Sequence, residues 1–203
     1  MKQKINIVLI AVIALGMVMS LIAFFMKPAE ASDSGTVTVV APEQTKAQRP
    51  PCFPDPEANY IQLPETENLA VGKPVSSGEY TDVYAESNVN DGKTDTYWES
   101  KGFPAEMTID LGGEHEISVV AVRLNPSAVW EARTQEIAVF GSTDGTSFTE
   151  LSAATRYSFD PNTGNRIRID LDTAQVRFVK AVFTMNSSAR TGGAQAAEIE
   201  VYE

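Results

Sequence analysis

Asn88-Val89-Asn90-Asp91-Gly92-Lys93-Thr94-Asp95-Thr96-Tyr97-Trp98 is the stretch whose reading decides the fold. An Asp-Gly turn, further polar turn residues and a Thr stand just ahead of large aromatics. A turn of this kind exposes several backbone carbonyls on its inner side. Near the end of the chain, Ala197-Glu198-Ile199-Glu200-Val201-Tyr202 alternates as a β-strand and opens on a carboxylate. Asp91, Glu198 and the turn carbonyls make an all-oxygen cage for a hard cation such as Ca²⁺. That cage would join the first loop of a β-sandwich to its last strand. The plainer alternative keeps Asp91 as a turn former and Glu198 as a solvated strand residue.

Around these two stretches the pattern is β from Asn68 onward. Glu106-Met107-Thr108-Ile109-Asp110-Leu111 alternates, and Gly112-Gly113 is expected to end it. Further runs cover Glu116 to Leu124, Gln135 to Gly141, Ser147 to Leu151, Arg166 to Leu171, Arg177 to Thr184 and Ala197 to Tyr202. Ser142-Thr143-Asp144-Gly145-Thr146 carries a hairpin-type Asp-Gly turn. No stretch has a helical period. Many short strands divided by turn signals predict an all-β sandwich or barrel. His115, following Gly112-Gly113, is expected at a solvated turn, and Trp98 in the core.

Ahead of this region, Met1-Lys2-Gln3-Lys4 is basic, and residues 5–26 are almost wholly apolar up to Lys27. The run is long enough to span a bilayer, which takes ~20 residues. Ala29-Glu30-Ala31 also matches a small-x-small cleavage pattern, which would leave Ser32 as the new start. A cleaved signal and a retained anchor both place the remainder outside the cytoplasm, since Lys2 and Lys4 favour staying inside. The expected organisation is a signal or hydrophobic helical anchor over residues 1–31, a Pro-rich linker over 32–66 and a β domain over 67–203. Thr36-Val37-Thr38-Val39-Val40 is a short β-like run within the linker.

The net charge is −11 and the pI about 4.6. Without residues 1–31, which hold Lys2, Lys4, Lys27 and Glu30, the charge is −13. Such a surface repels phosphate backbones, so nucleic acid is excluded as a partner, and anionic lipid is disfavoured. Membrane contact is expected only through the N-terminal segment. The one cysteine, Cys52, lies in the linker and has no internal partner.

The order Asn68-Leu69-Ala70, Asn90-Asp91-Gly92, Thr96-Tyr97-Trp98, Ile109-Asp110-Leu111-Gly112, Ser142-Thr143-Asp144-Gly145, Arg177-Phe178-Val179-Lys180 and Ala197-Glu198-Ile199-Glu200-Val201 resembles the discoidin-type domain. This is also the coagulation factor V/VIII type C domain, and includes the family 32 carbohydrate-binding modules. The resemblance covers roughly residues 66–203. It implies an eight-stranded, galactose-binding-domain-like jelly roll with binding loops gathered at one end. It also implies a structural Ca²⁺ held by side-chain oxygens of Asp91 and Glu198, by Thr96, and by carbonyls of Asn88, Lys93 and Ala197.

For ligand binding, the loops matching those that bear ligands in the family offer Trp130, Tyr80, Asp82, Glu99, Asn125, Arg133 and Arg190. Trp130 stands out, mid-loop among polar residues; the alternative is that it caps the core edge. The galactose-binding subgroup has a His where this chain has Glu99. It has an Arg where this chain reads Leu124-Asn125-Pro126, and an aromatic where Thr191-Gly192-Gly193-Ala194-Gln195 has none. Galactose is therefore disfavoured. One His and one linker Cys supply no Ser–His–Asp or Cys–His set. The expectation is a non-catalytic module that binds glycan or polysaccharide, with a protein adhesion or assembly domain contacting a cell-surface protein as the alternative. A small hydrolase is the third class, since acidic pairs cannot be dismissed by counting.

Overall fold

The structure is a computed structural model and describes residues 57–203. The expected helix over residues 5–26, the run at 36–40 and Cys52 lie outside the described residues. Among the described residues, no helix is long and apolar enough to cross a membrane.

The described region is an all-β sandwich of antiparallel strands: β1 (Val75–Ser77), β2 (Trp98–Glu99), β3 (Ala105–Arg123), β4 (Arg133–Ser142), β5 (Thr149–Phe159), β6 (Arg166–Asn186), β7 (Gln195–Ala196) and β8 (Glu198–Tyr202). Two long strands build both layers. The first half of β3 pairs with β1 and with the second half of β6, which continues to β4 and then β5. The second half of β3 pairs with the first half of β6 on one side and with β8 on the other. Between the halves the register shifts, at Asp110/His115 and Ile117/Val119. Such irregularities bend a strand and let one chain segment serve two layers.

Gly112-Gly113 therefore does not end a strand; it lies inside β3, where Gly112 takes a φ of +83°. His115 is likewise not a solvated turn residue. It pairs with Val176 on β6, is half-buried, and lies 3.5 Å from a Glu203 carboxylate oxygen. The break predicted between Leu171 and Arg177 is also absent, because β6 runs through it.

The core lies between the layers. Met107, Ile109, Leu111, Ile117, Val120 and Val122 of β3 meet Ile137 and Val139 of β4, Val179 and Phe183 of β6, and Ile199 and Val201 of β8. Trp98 joins them, 1% exposed, with its ring 5.6 Å from that of Phe183. A smaller cluster of Val119, Ala121 and Tyr202 lies apart, and Leu63 packs on it. Residues 57–63, expected within the linker, thus include contacts to the sandwich. Tyr60 sits against Gly164, where an added Cβ would come within 2.8 Å of the ring, and Arg166 lies 5.0 Å over that ring. The Ile61 N–H donates to the Thr163 carbonyl.

Candidate functional site

The Asp91 loop is fixed first by its neighbours. Asn90 is buried, and its amide donates to the carbonyls of Ala70 at 2.6 Å and Lys73 at 2.9 Å. The loop turns at Gly92, φ +80°. The Lys93 N–H then donates to both Asp91 Oδ1 and Glu198 Oε1, each at 2.9 Å. Thr96 Oγ1 donates to Asp91 Oδ2 at 2.8 Å. The first loop and the last strand thus meet at two acids, Asp91 and Glu198, which share the Lys93 N–H.

Glu198 is 2% exposed, and neither acid is ion-paired to Lys, Arg or His among the described residues. The Glu198 carboxyl is pushed up to about 8, by burial first and then by the Asp91 carboxyl beside it, against the pull of the Lys93 N–H. Two adjacent carboxylates away from water repel each other unless a proton or a cation separates them. The donor set is hard oxygen, so the residues present fit Ca²⁺. Among the described residues, no three His, Cys, Asp or Glu side chains gather to hold a metal. A cation held by Asp91 and Glu198 would need its further ligands from backbone carbonyls, hydroxyls or water. Lys93 turns its N–H to the acids, and its carbonyl lies 3.4 Å from Thr96 Oγ1. The Asn88 amide donates to the Tyr97 carbonyl, and the Ala197 N–H to that of Arg123.

Directly after this loop, β2 pairs with β7, Trp98 opposite Ala196 and Glu99 opposite Gln195. Alternation along a strand sends neighbours to opposite faces. Trp98 enters the core, while Tyr97 and Glu99 line a surface cleft of about 280 Å³ with Val129, Trp130, Arg133, Arg190 and Gln195. Close approach of the chain permits this pairing. An added Cβ at Gly193 would lie 1.8 Å from the Ser100 carbonyl oxygen.

Trp130 ends a short 3₁₀ turn, Ala128–Trp130, and is half-buried. Its ring meets Tyr97 edge-on at 4.7 Å, and Tyr97 stacks on Tyr84 at 4.3 Å. Burial, followed by a hydrogen bond with Tyr84, raises the Tyr97 phenol well above its ordinary value. The Arg133 guanidinium lies 5.2 Å from the Trp130 ring centre. Its Nη1 donates to Gln195 Oε1, whose amide nitrogen donates to Glu99 Oε2 at 2.7 Å. Gln135, fully buried, holds the Gln195 backbone at both its N–H and its carbonyl. Burial also pulls the Arg133 guanidinium below its usual value. Arg190 donates to Glu131 at the rim at 2.8 Å. The cleft thus offers an aromatic surface, a donor side and an acceptor side.

Of the predicted ligand residues, Trp130, Glu99, Arg133 and Arg190 come together here. Tyr80, Asp82 and Asn125 do not line the cleft. Tyr80 forms a bridge to Ser100, and Asp82 is exposed with a φ of +51°. Asn125 instead supports the turn: Oδ1 accepts from the Ser127 N–H, and its carbonyl accepts from Asn165. Tyr97, Val129 and Gln195 were not predicted. Tyr97 could have been found from strand alternation about Trp98; Gln195 has no sequence signal.

Fold and site define a β-sandwich whose end loops carry a shallow, aromatic-walled cleft beside an acidic clamp. The chain belongs to the family described as NedA-like, galactose-binding domain, of the F5/F8 type C kind, which matches residues 88–201. Among solved structures it is similar to a Clostridium perfringens CBM32 module in complex with GalNAc-β-1,3-galactose. That match has 21% identity and a TM-score of 0.56, over 68% of this chain and all (100%) of that one. It is similar to the CBM32 of AlyQ in complex with 4,5-unsaturated mannuronic acid, at 21% and 0.53, over 64% and 94%. Chitosan-binding module 1 of a Paenibacillus chitosanase/glucanase matches at 19% and 0.53, over 68% and 100%. Two other matches lie in larger chains, of which the shared part is 28% and 31%. No curated protein matches.

Proposed function

We propose that the domain is a non-catalytic carbohydrate-binding module that attaches its host to a glycan or polysaccharide outside the cytoplasm. The observation that carries this is the Trp130 cleft. A half-buried indole stands beside a guanidinium donor and a carboxylate acceptor that Gln195 holds apart. Sugars present C–H faces to an aromatic surface and hydroxyls to a few placed polar groups, and this wall has that make-up. The three structural relatives named above carry modules solved with, or named for, sugar ligands, which supports the same reading. The groove with its aromatic also favours sugar over the alternative of a protein adhesion domain, for which a broad apolar face without a groove would speak.

Ca²⁺ in this reading is structural. Asp91 and Glu198 would hold it, with Thr96 and the carbonyls of Asn88, Lys93 and Ala197. When bound, it supplies positive charge that lets both acids stay ionised. Asp91 and Glu198, so held, would fix the junction of the Asp91 loop with β8, and with it the start of β2.

A glycan array followed by tryptophan-fluorescence titration tests the function. The expected result is saturable binding to a subset of glycans that Trp130→Ala weakens about tenfold or more. Silence across plant, host and bacterial glycans with folded protein would overturn it.

A further inference from the structure

Arg133 is a guanidinium only 8% exposed, and it has no carboxylate within ion-pair distance among the described residues. Buried charges are ordinarily paired. Its recorded hydrogen bonds go to neutral oxygens, the Gln195 amide and the Glu131 carbonyl. Glu99, the acid in the same cleft, is kept at one remove by Gln195. Arg190 lines the cleft as well. Its bond to Glu131 joins two side chains that are 65% and 60% exposed, a surface pair that exchanges readily for another carboxylate.

The surrounding charge makes this unusual. Residues 57–203 hold 11 Lys and Arg against 23 Asp and Glu, a net −12. Of three other clefts, two are net acidic and one is neutral. The one beside Phe103 has Lys101 against Glu79 and Glu106. The one beside the Asp91 loop has Lys73 against Glu86 and Asp91. The one at Phe148 balances Lys180 with Asp110. The Trp130 cleft alone of these four has a surplus of positive charge, Arg133 and Arg190 against Glu99.

We propose that this cleft selects acidic sugars, taking the carboxylate of a uronate residue between Arg133 and Arg190 while the sugar ring lies on Trp130. The inference rests on the glycan-binding reading and narrows it. A planar carboxylate matches the guanidinium fork, so the preference is for a uronate over a sulfate ester. The acidic remainder of the domain opposes a long polyanion. Screening at physiological salt, with a Debye length of about 8 Å, confines that opposition to near neighbours.

Calorimetric titration of the full domain with oligogalacturonate, its methyl ester and a neutral galactan oligosaccharide tests the proposal. A sulfated galactan oligosaccharide forms a fourth arm. The free acid is expected to bind about tenfold or more tighter than the ester, the equivalent of one charge-assisted hydrogen bond. Added salt should weaken the acid and leave the ester unchanged. Arg190→Gln, at an exposed site, should shrink the preference with an unaltered melting temperature. Equal or tighter binding of ester or neutral sugar would overturn the selectivity and leave the glycan reading standing. Tighter sulfate than uronate binding would overturn the choice of carboxylate. Absence of binding in every arm, with the domain folded and a glycan bound on the array, would overturn the acidic-sugar proposal alone; silence on the array as well would bring down both.

Discussion

In the proposed function, Trp130 is the residue on which recognition turns. Its indole is held by Tyr97 at one edge and by Arg133 over its face, and the short turn beneath it is tied by Asn125. Removing the ring takes away a stacking surface while leaving that turn's hydrogen bonds intact. Trp130→Ala should weaken glycan binding about tenfold or more, since buried aromatic contacts carry about 1–3 kcal/mol. Calorimetry on a glycan that binds the native domain checks this. That Trp130, Glu99, Arg133 and Arg190 gather in one cleft was legible because their loops set a large aromatic and charged side chains among turn residues. Tyr80, Asp82 and Asn125 looked the same in sequence. What separates them is direction, set by a bridge to Ser100 and by local turn geometry. Gln195 was invisible because its importance lies in two charged partners 62 and 96 positions away.

At the scale of elements, the long strands β3 and β6 are pinned where they bend. Arg177 on β6 makes two 2.8 Å hydrogen bonds to Asp110 on β3, the last residue before the register shifts. These bonds, with Arg177 as the largest cause, hold the Asp110 carboxyl down at about 2. The folded value lies below the unfolded one, near 3.9. The pair's stabilisation is therefore present above about pH 4 and is lost as pH falls toward 2. Asp110→Asn should melt lower than the native domain at pH 6, with the gap closing by pH 2. The partners are part-exposed, so the loss should stay under about 1 kcal/mol, a few degrees in melting temperature. Calorimetry across pH measures it.

The β2–β7 pair makes a second test at this scale. Gly193→Ala places a methyl group on the Ser100 carbonyl and should force β7 from β2. Overpacking of this kind costs about 1–3 kcal/mol. Sugar binding should fall with it, because Glu99 and Gln195 lie on those strands. Unchanged melting and binding would contradict this account of β2. Strand identity was largely readable from alternation, but strand continuity was not. Gly112-Gly113 reads as a terminator, yet glycine's backbone freedom also suits a bend, and β3 uses it so. The burial of Glu198 and Glu200 was likewise hidden. Alternation says that one face of β8 is polar, and only the assembled sandwich covers that face.

For the whole molecule, the account joins an acidic clamp to a recognition cleft. The clamp residues Asp91–Thr96 run directly into Tyr97, Trp98 and Glu99, so order in one is order in the other. Chelation of Ca²⁺ should lower the melting temperature of the native domain. An ion present at a hundredfold over its dissociation constant stabilises by about 2.7 kcal/mol. Glu198→Gln should lose that response. An unchanged melt after chelation, with no metal by elemental analysis, would remove the ion from the account. The nearness of Asp91 and Glu198 was legible because distant acids were matched to a turn and a last strand.

The most direct measurement is a backbone and indole NMR titration with a glycan that the array identifies. The account predicts shifts concentrated at Tyr97, Glu99, the Trp130 indole, Arg133, Arg190 and Gln195. Shifts gathered instead around Phe103, or on the outer face of the sheet, would contradict it.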